Sequence, residues 1–203
     1  MQRTEKFLSL HADNLSMKKF LILSAVLLSF SLPAFSKTGF EFGIGSGYVF
    51  YGSQEVKDRN KALGDSNQSI LTTDALILVP LTQNVLFSFG NDAIFDFRWK
   101  GSHHINLVDY SFLMGVRAYP GLGGLFLSVD YALGRRTDFI SDENEDEVTS
   151  TKWGNGFKCM LGYDFSYHLN GFAPVLCAGI KSMPRGGSRD TSLTVSLKLT
   201  KHT

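Results

Sequence analysis

The sequence predicts an all-β chain: an eight-stranded antiparallel barrel of up-and-down topology that crosses a membrane and is preceded by a signal peptide. Three observations carry this reading. A short apolar segment near the start is built like a leader. The rest of the chain alternates apolar and polar side chains over long stretches. Short turns and longer loops alternate between those stretches.

The leader comes first. Phe20 to Phe30 is the one stretch resembling a helical membrane segment, and it is about half the roughly 20 apolar residues a spanning helix needs. Lys18 and Lys19 stand before it, and Ala34-Phe35-Ser36 follows. A charged start, a short apolar middle and small residues at −3 and −1 are the signal-peptide pattern. Cleavage is expected after Ser36, leaving residues 37–203 as one domain. No cysteine follows the cut, so no lipoprotein anchor is expected. Met17 gives a more usual n-region than Met1 and is the alternative start.

Composition narrows the function classes. The 203 residues carry a formal charge of +1, with no basic run interleaved with aromatics, so nucleic acid is not an expected partner. Glycine (20) and phenylalanine (17) are abundant and proline (5) is scarce, which suits strands rather than disorder. Two cysteines are too few for a disulfide scaffold.

The alternation has the period of two that marks strands. The first strand sets Phe40, Phe42, Ile44, Tyr48 and Phe50 against Glu41, Gly43, Gly45 and Gly47. The third sets Val85 to Trp99 on odd positions against Ser88, Gly90, Asp92, Asp96 and Arg98. The fourth sets Val108 to Val116 on even positions against Asp109, Ser111, Gly115 and Arg117. The fifth opposes Leu125 to Leu133 to Ser128, Asp130, Ala132, Gly134 and Arg136. The sixth opposes Trp153 to Phe165 to Lys152, Lys158, Gly162 and Asp164. The last opposes Leu193 to Leu199 to Thr194, Ser196 and Lys198. The second (about 70–81) and seventh (about 172–181) alternate less cleanly. The expected connections are a long polar loop at 52–69, a turn at 82–84, and a medium loop at 100–105. A turn at 120–124, an acidic loop at 138–149, a turn near 168–171 and a loop at 182–190 follow. Alternating short and long connections are the habit of outer-membrane barrels, whose long loops face outward and whose termini face the periplasm.

Volume decides which face meets lipid. An eight-stranded barrel is only wide enough for side chains to fill it. The bulky Phe, Leu, Tyr and Trp face would overfill that space, whereas the Gly-, Ser- and Ala-rich face fits. The bulky face should therefore meet hydrocarbon, where a closed barrel satisfies every backbone group. Phe40, Phe50, Tyr51, Trp99, Tyr119, Trp153 and Phe165 are expected as interfacial girdles. The alternative is a soluble periplasmic ligand-binding barrel with the apolar face inside.

On this pattern of strand count, alternation and length, residues 38–200 resemble the small outer-membrane barrels of the OmpW and OmpA/OmpX kinds, including an OmpW-like family of spirochaetes. The resemblance rests on no specific motif. The chain departs from it at Leu199-Thr200-Lys201-His202-Thr203, where such barrels commonly finish on an aromatic residue. The resemblance implies an outer-membrane location and, for the OmpW kind, passage of small hydrophobic molecules.

The expected lumen carries Glu41, Asp74, Asp92, Asp96, Asp109, Asp130 and Asp164 together with Arg98, Arg117, Arg136, Lys152, Lys158, Lys181 and Lys198. Charges in a low-dielectric lumen must be paired or wetted, and a symmetric connection sets Asp130 opposite Lys158. The network either plugs the barrel or leaves a thin polar path for small solutes. Leu76, Leu78, Leu86, Ile94, Leu107, Leu113, Phe126 and Met160 also fall inward, as the lining of a small hydrophobic pocket or as filler.

Other groups carry weaker signals. Parity sets Cys159 outward and Cys177 inward, against a disulfide. His103 and His104 lack a third metal ligand. The acidic loop lacks EF-hand spacing and is read as solvated, as are Lys57, Arg59, Lys61, Arg185 and Arg189. Ser102, His103 and Asp109 are near in sequence, but nothing makes a nucleophile and base converge, so no enzyme, metal or cofactor is expected. The leading functional expectation is passage of small, hydrophobic molecules through a narrow lumen. Its rival is a non-transporting surface barrel whose long loops bind host or envelope partners.

Overall fold

The computed structural model describes residues 38–121, 123–141, 146–167 and 171–202, all within the compact unit Lys37–Thr203. The leader read over 1–36 lies outside the described residues. The strands are β1 (Gly39–Phe50), β2 (Asn67–Pro80), β3 (Val85–Lys100), β4 (His103–Ala118), β5 (Leu125–Ser141), β6 (Asp146–Ser150), β7 (Gly154–Asp164), β8 (Phe172–Pro184) and β9 (Arg189–His202). One helix, α1 (Gln54–Ala62), stands between β1 and β2.

All pairings are antiparallel and, apart from β6 and β7, join strands adjacent in sequence; β1 pairs with β9, so the sheet closes. β6 and β7 both pair with β5 and make one stave between them, which gives eight staves. A change of register separates the two. Thr137 faces Ser150 in β6, whereas Gly134 faces Gly154 in β7, so one extra residue is absorbed near Lys152 and Trp153. This is a β-bulge, which shifts the inward parity by one.

The outward face is the bulky one. Phe42, Ile44, Val129, Leu197 and Leu199 are each more than half exposed, while Glu41, Arg117, Asp130 and Lys198 are fully buried at 0%. That order reverses the soluble alternative, which needs the apolar face inside. β3 and β4 run 16 residues and β5 runs 17, more than the roughly 9–11 that a tilted strand needs to cross a bilayer. The fold is thus the eight-stranded transmembrane barrel that the alternation predicts, with an apolar belt suited to hydrocarbon.

Several expectations are corrected. The connection at 100–105 is a two-residue turn, with Gly101 at φ +61°. The connection at 182–190 shrinks to residues 185–188, and the acidic loop at 138–149 is largely a hairpin of β5 and β6, with 142–145 outside the described residues. Backbone pairing outlasts hydropathy here: strand tops standing above an apolar belt are polar and read as loops. Within 52–69 the chain forms α1, whose Val56 is buried against Tyr51, Ile105 and Leu107 over the barrel mouth. The turn near 168–171 has 168–170 outside the described residues.

Two girdle aromatics are inside instead. Tyr51 is buried and Tyr119 packs on Phe126. Phe50 points out, so its neighbour Tyr51 points in, and Tyr119 continues the inward parity of Arg117. Phe40, Phe50, Trp99, Trp153 and Phe165 are exposed on the outside.

Candidate functional site

The lumen is where the alternation concentrates its chemistry. The turn end holds the β2–β3 and β4–β5 turns and the start of β1; the loop end holds α1 and the β3–β4, β5–β6 and β8–β9 connections. From the turn end, Arg117 donates two hydrogen bonds to Glu41, each 2.7 Å. Lys198 reaches Glu41 at 3.1 Å and Asp74 at 3.0 Å. Lys158 joins Asp74 at 3.7 Å to Asp92 at 3.1 Å. Lys181 runs on from Asp92 at 2.9 Å to Asp109 at 2.7 Å. Arg185 pairs with Asp109 and stands 4.0 Å from Asp190. Arg136 pairs with Asp190 and, at 2.6 Å, with Asp138. Acid and base alternate at every step from one end of the lumen to the other.

Two acids stand beside this chain. Asp130 accepts hydrogen bonds from Ser88 at 2.5 Å and Ser128 at 3.4 Å. It faces Lys158 in register as expected, yet the ammonium turns to Asp74 and Asp92. At the mouth, Asp96 accepts from Tyr51 and Gln68, each at 2.8 Å, and pairs with Arg98 at 3.2 Å. Burial, reinforced by the Asp96 charge, pushes the Tyr51 phenol above its ordinary range, so it stays a donor.

The space between the charges is filled. Leu76, Leu78, Leu86, Leu113, Ala132 and Met183 form one apolar cluster. Phe126, Met160, Val175 and Cys177 form another, with the Arg117 guanidinium 4.2 Å from the Phe126 ring centre. Glycines make room: a Cβ on Gly162 would lie 2.5 Å from the Phe126 ring, and one on Gly43 would lie 2.6 Å from Asp74 Oδ1. Among the described residues, two cavities of about 10 Å³ each lie in the lumen, one beside Tyr51, Ile94 and Asp109 and one among Asp74, Asp92 and Lys158. Each has room for at most a single water. The apolar residues Leu76, Ile94, Leu113, Phe126 and Met160 are all inward and buried, and both small cavities touch Ile94.

Space for a ligand lies at the loop end. A cleft of about 470 Å³ between α1 and the β3–β4 hairpin is lined by Arg59, Leu63, Lys100, His103, His104, Ile105, Ile140 and Glu147. Arg59 reaches Glu147 at 3.8 Å and Glu55 at 2.5 Å. A second cleft of about 370 Å³ lies on the other side of α1, against the end of β1.

No family model matches the chain, and no curated protein matches it. Solved structures do. Ail, the attachment invasion locus protein of Yersinia pestis, crystallised with the heparin analogue sucrose octasulfate, is similar at 12% identity, over 81% of this chain and 97% of that one, with a TM-score of 0.49. The N-terminal barrel domain of Pseudomonas aeruginosa OprF is similar at 12% identity, over 80% and 96%, with a TM-score of 0.45. Neisserial surface protein A is similar at 10% identity, over 79% and 95%, with a TM-score of 0.44.

The structure brings together Glu41, Asp74, Asp92, Asp109, Arg117, Arg136, Lys158, Lys181 and Lys198, all expected inward. Asp96 and Arg98 sit apart at the mouth, and Asp164 sits at the turn end, where it accepts from Tyr119 at 2.9 Å. Lys152 is exposed, outside any strand, because the bulge breaks the parity that pointed it inward. Asp138, Arg185 and Asp190 are buried members of the network, where the sequence reading makes Asp138 and Arg185 solvated and Asp190 a loop residue. The signal for all three is parity: Asp138 continues Asp130–Arg136, Arg185 continues Lys181, and Asp190 continues Ser192–Lys198. Cys159 and Cys177 are free. Asp109 stands six residues down β4 from His103, roughly 20 Å along the strand, so Ser102, His103 and Asp109 do not converge. Among the described residues no group of His, Cys, Asp and Glu is arranged to hold a metal.

Proposed function

We propose that the protein is an outer-membrane surface barrel that does not conduct through its lumen and that binds partners at its loop end. The observation that carries this reading is the filled lumen. A continuous run of ion pairs occupies its length, and two cavities among the described lumen residues hold a water at most, while the larger clefts flank α1 at the loop end. The apolar belt supports placement in a bilayer, and a signal peptide at 1–36 would direct the chain there. On this reading the termini face the periplasm and the loop end faces outward. The inward apolar residues serve as packing rather than as a solute path.

The larger cleft sets the chemistry of the partner. Among the described residues that line it, Arg59, Lys100, His103 and His104 stand with the acid Glu147, and Leu63, Ile105 and Ile140 give it an apolar floor. An anionic group on a host or envelope polymer fits such a rim. The test is binding of dextran sulfate to residues 37–203 refolded in detergent. Arg59→Glu with Lys100→Glu should weaken binding about tenfold or more, the scale of losing charge-assisted contacts. Binding that is unchanged in the double variant would remove the loop-end reading.

A further inference from the structure

The wall of the barrel is not continuous at its loop end. β1 pairs with β2 from Gly39↔Leu78 to Gly45↔Thr72, and there the pairing stops. Its other edge stays paired with β9 up to Phe50↔Thr191, and β2 stays paired with β3 down to Asn67↔Trp99. Residues 46–50 and 67–71 therefore face each other without a ladder. One side-chain bond spans the seam, from Ser46 Oγ to the Ile70 carbonyl at 2.7 Å.

The 370 Å³ cleft opens along the β1 edge of this seam. Its lining mixes outward residues, Tyr48 and Phe50, with inward ones, Tyr51 and Arg98, so it runs through the wall. From α1 come Lys57 and Asn60. Among the described residues no acid pairs with Lys57, and Asn60 Oδ1 is buried without a partner. Arg98 offers Nε and Nη2 to Asp96 and keeps Nη1 for another acceptor. Tyr48 and Phe50 are about half exposed on the lipid-facing side and stack edge to face.

An unpaired strand edge leaves backbone N–H and C=O groups that the sheet does not satisfy, and a membrane offers them little water. The seam thus needs an occupant with polar atoms at one end and an apolar body at the other. We propose that this crevice binds a phosphate-bearing membrane lipid. Its phosphate sits against Lys57 and Arg98, a neighbouring hydroxyl donates to Asn60 Oδ1, and its acyl chains lie along Tyr48 and Phe50. The pairing of a cation cluster with an unpartnered acceptor favours a headgroup that both carries charge and donates.

The proposal rests on the membrane placement of the barrel, and the experiment separates the two. Residues 37–203 are refolded in detergent, their fold is checked by the heat-dependent gel shift, and phosphatidylglycerol is titrated with native mass spectrometry as the readout. Dioleoylglycerol and inorganic phosphate are the comparison ligands. Saturable binding of phosphatidylglycerol, well above both comparisons, is expected. Lys57→Glu should weaken it about tenfold or more, as the loss of a charge-assisted contact implies, with the gel shift intact. Lys152→Glu, on an exposed lysine elsewhere, should leave it unchanged. Equal binding by wild type and Lys57→Glu would overturn the site. Inorganic phosphate binding as tightly as the lipid would overturn the lipid assignment. A protein that is monodisperse without detergent would instead overturn the membrane placement.

Discussion

The two ends of the barrel solve different problems. At the turn end every stave is paired with both neighbours, and Glu41, Arg117 and Lys198 are sealed together beside Phe126. At the loop end the β1–β2 ladder stops at Gly45↔Thr72, a bulge offsets β6 from β7, and a helix stands over the mouth. The turn end is packed with Glu41, Arg117, Lys198 and Phe126, all fully buried, while the loop end opens into clefts of several hundred Å³. The difference teaches where each kind of residue can change. A buried ion pair that loses one member leaves an uncompensated charge; an exposed cation on α1 leaves only a shorter side chain.

That contrast can be broken by substitution, beginning with the largest effect. Glu41→Ala strands Arg117 and should cost about 3–5 kcal/mol, read as a lower urea midpoint for unfolding from vesicles. Glu41→Leu combined with Arg117→Met should recover most of this loss, since replacing a buried pair with apolar groups is often nearly neutral. Phe126→Ala empties the space beside Arg117 and should cost about 3 kcal/mol or more in the same assay. Tyr51→Phe removes one of the donors to Asp96, leaving Gln68 and Arg98, and should cost about 1 kcal/mol. Lys57→Glu and Arg59→Glu should each stay within about 0.5 kcal/mol of the parent while altering what binds. If the loop-end changes destabilise as much as the Glu41 change, the division of labour is wrong.

Much of the fold was legible because a period of two has only two phases. Once Phe42 and Ile44 are assigned to lipid, Glu41 and Gly43 must face the lumen, and the narrowness of eight strands selects that assignment. The same rule set Asp130 opposite Lys158. It did not say where the Lys158 ammonium goes, since a long flexible side chain chooses among acids on several staves and takes Asp74 and Asp92. Asp138, Arg185 and Asp190 were obscured because strand tops above the belt lack apolar partners, although their parity was intact. Lys152 was misread because a bulge leaves no mark in hydropathy. α1 was hidden in a polar stretch whose single buried residue, Val56, is too little to show a helical period. The β1–β2 seam has no sequence signal at all; it depends on which pairs of strands remain in register.

The most direct test of the central claim, a lumen closed by its own ion pairs, is conductance across a planar bilayer containing residues 37–203. The filled lumen predicts no sustained current from the parent protein at any salt concentration that leaves the gel shift intact. A steady ohmic current from the folded parent would contradict it and return passage through the lumen to first place.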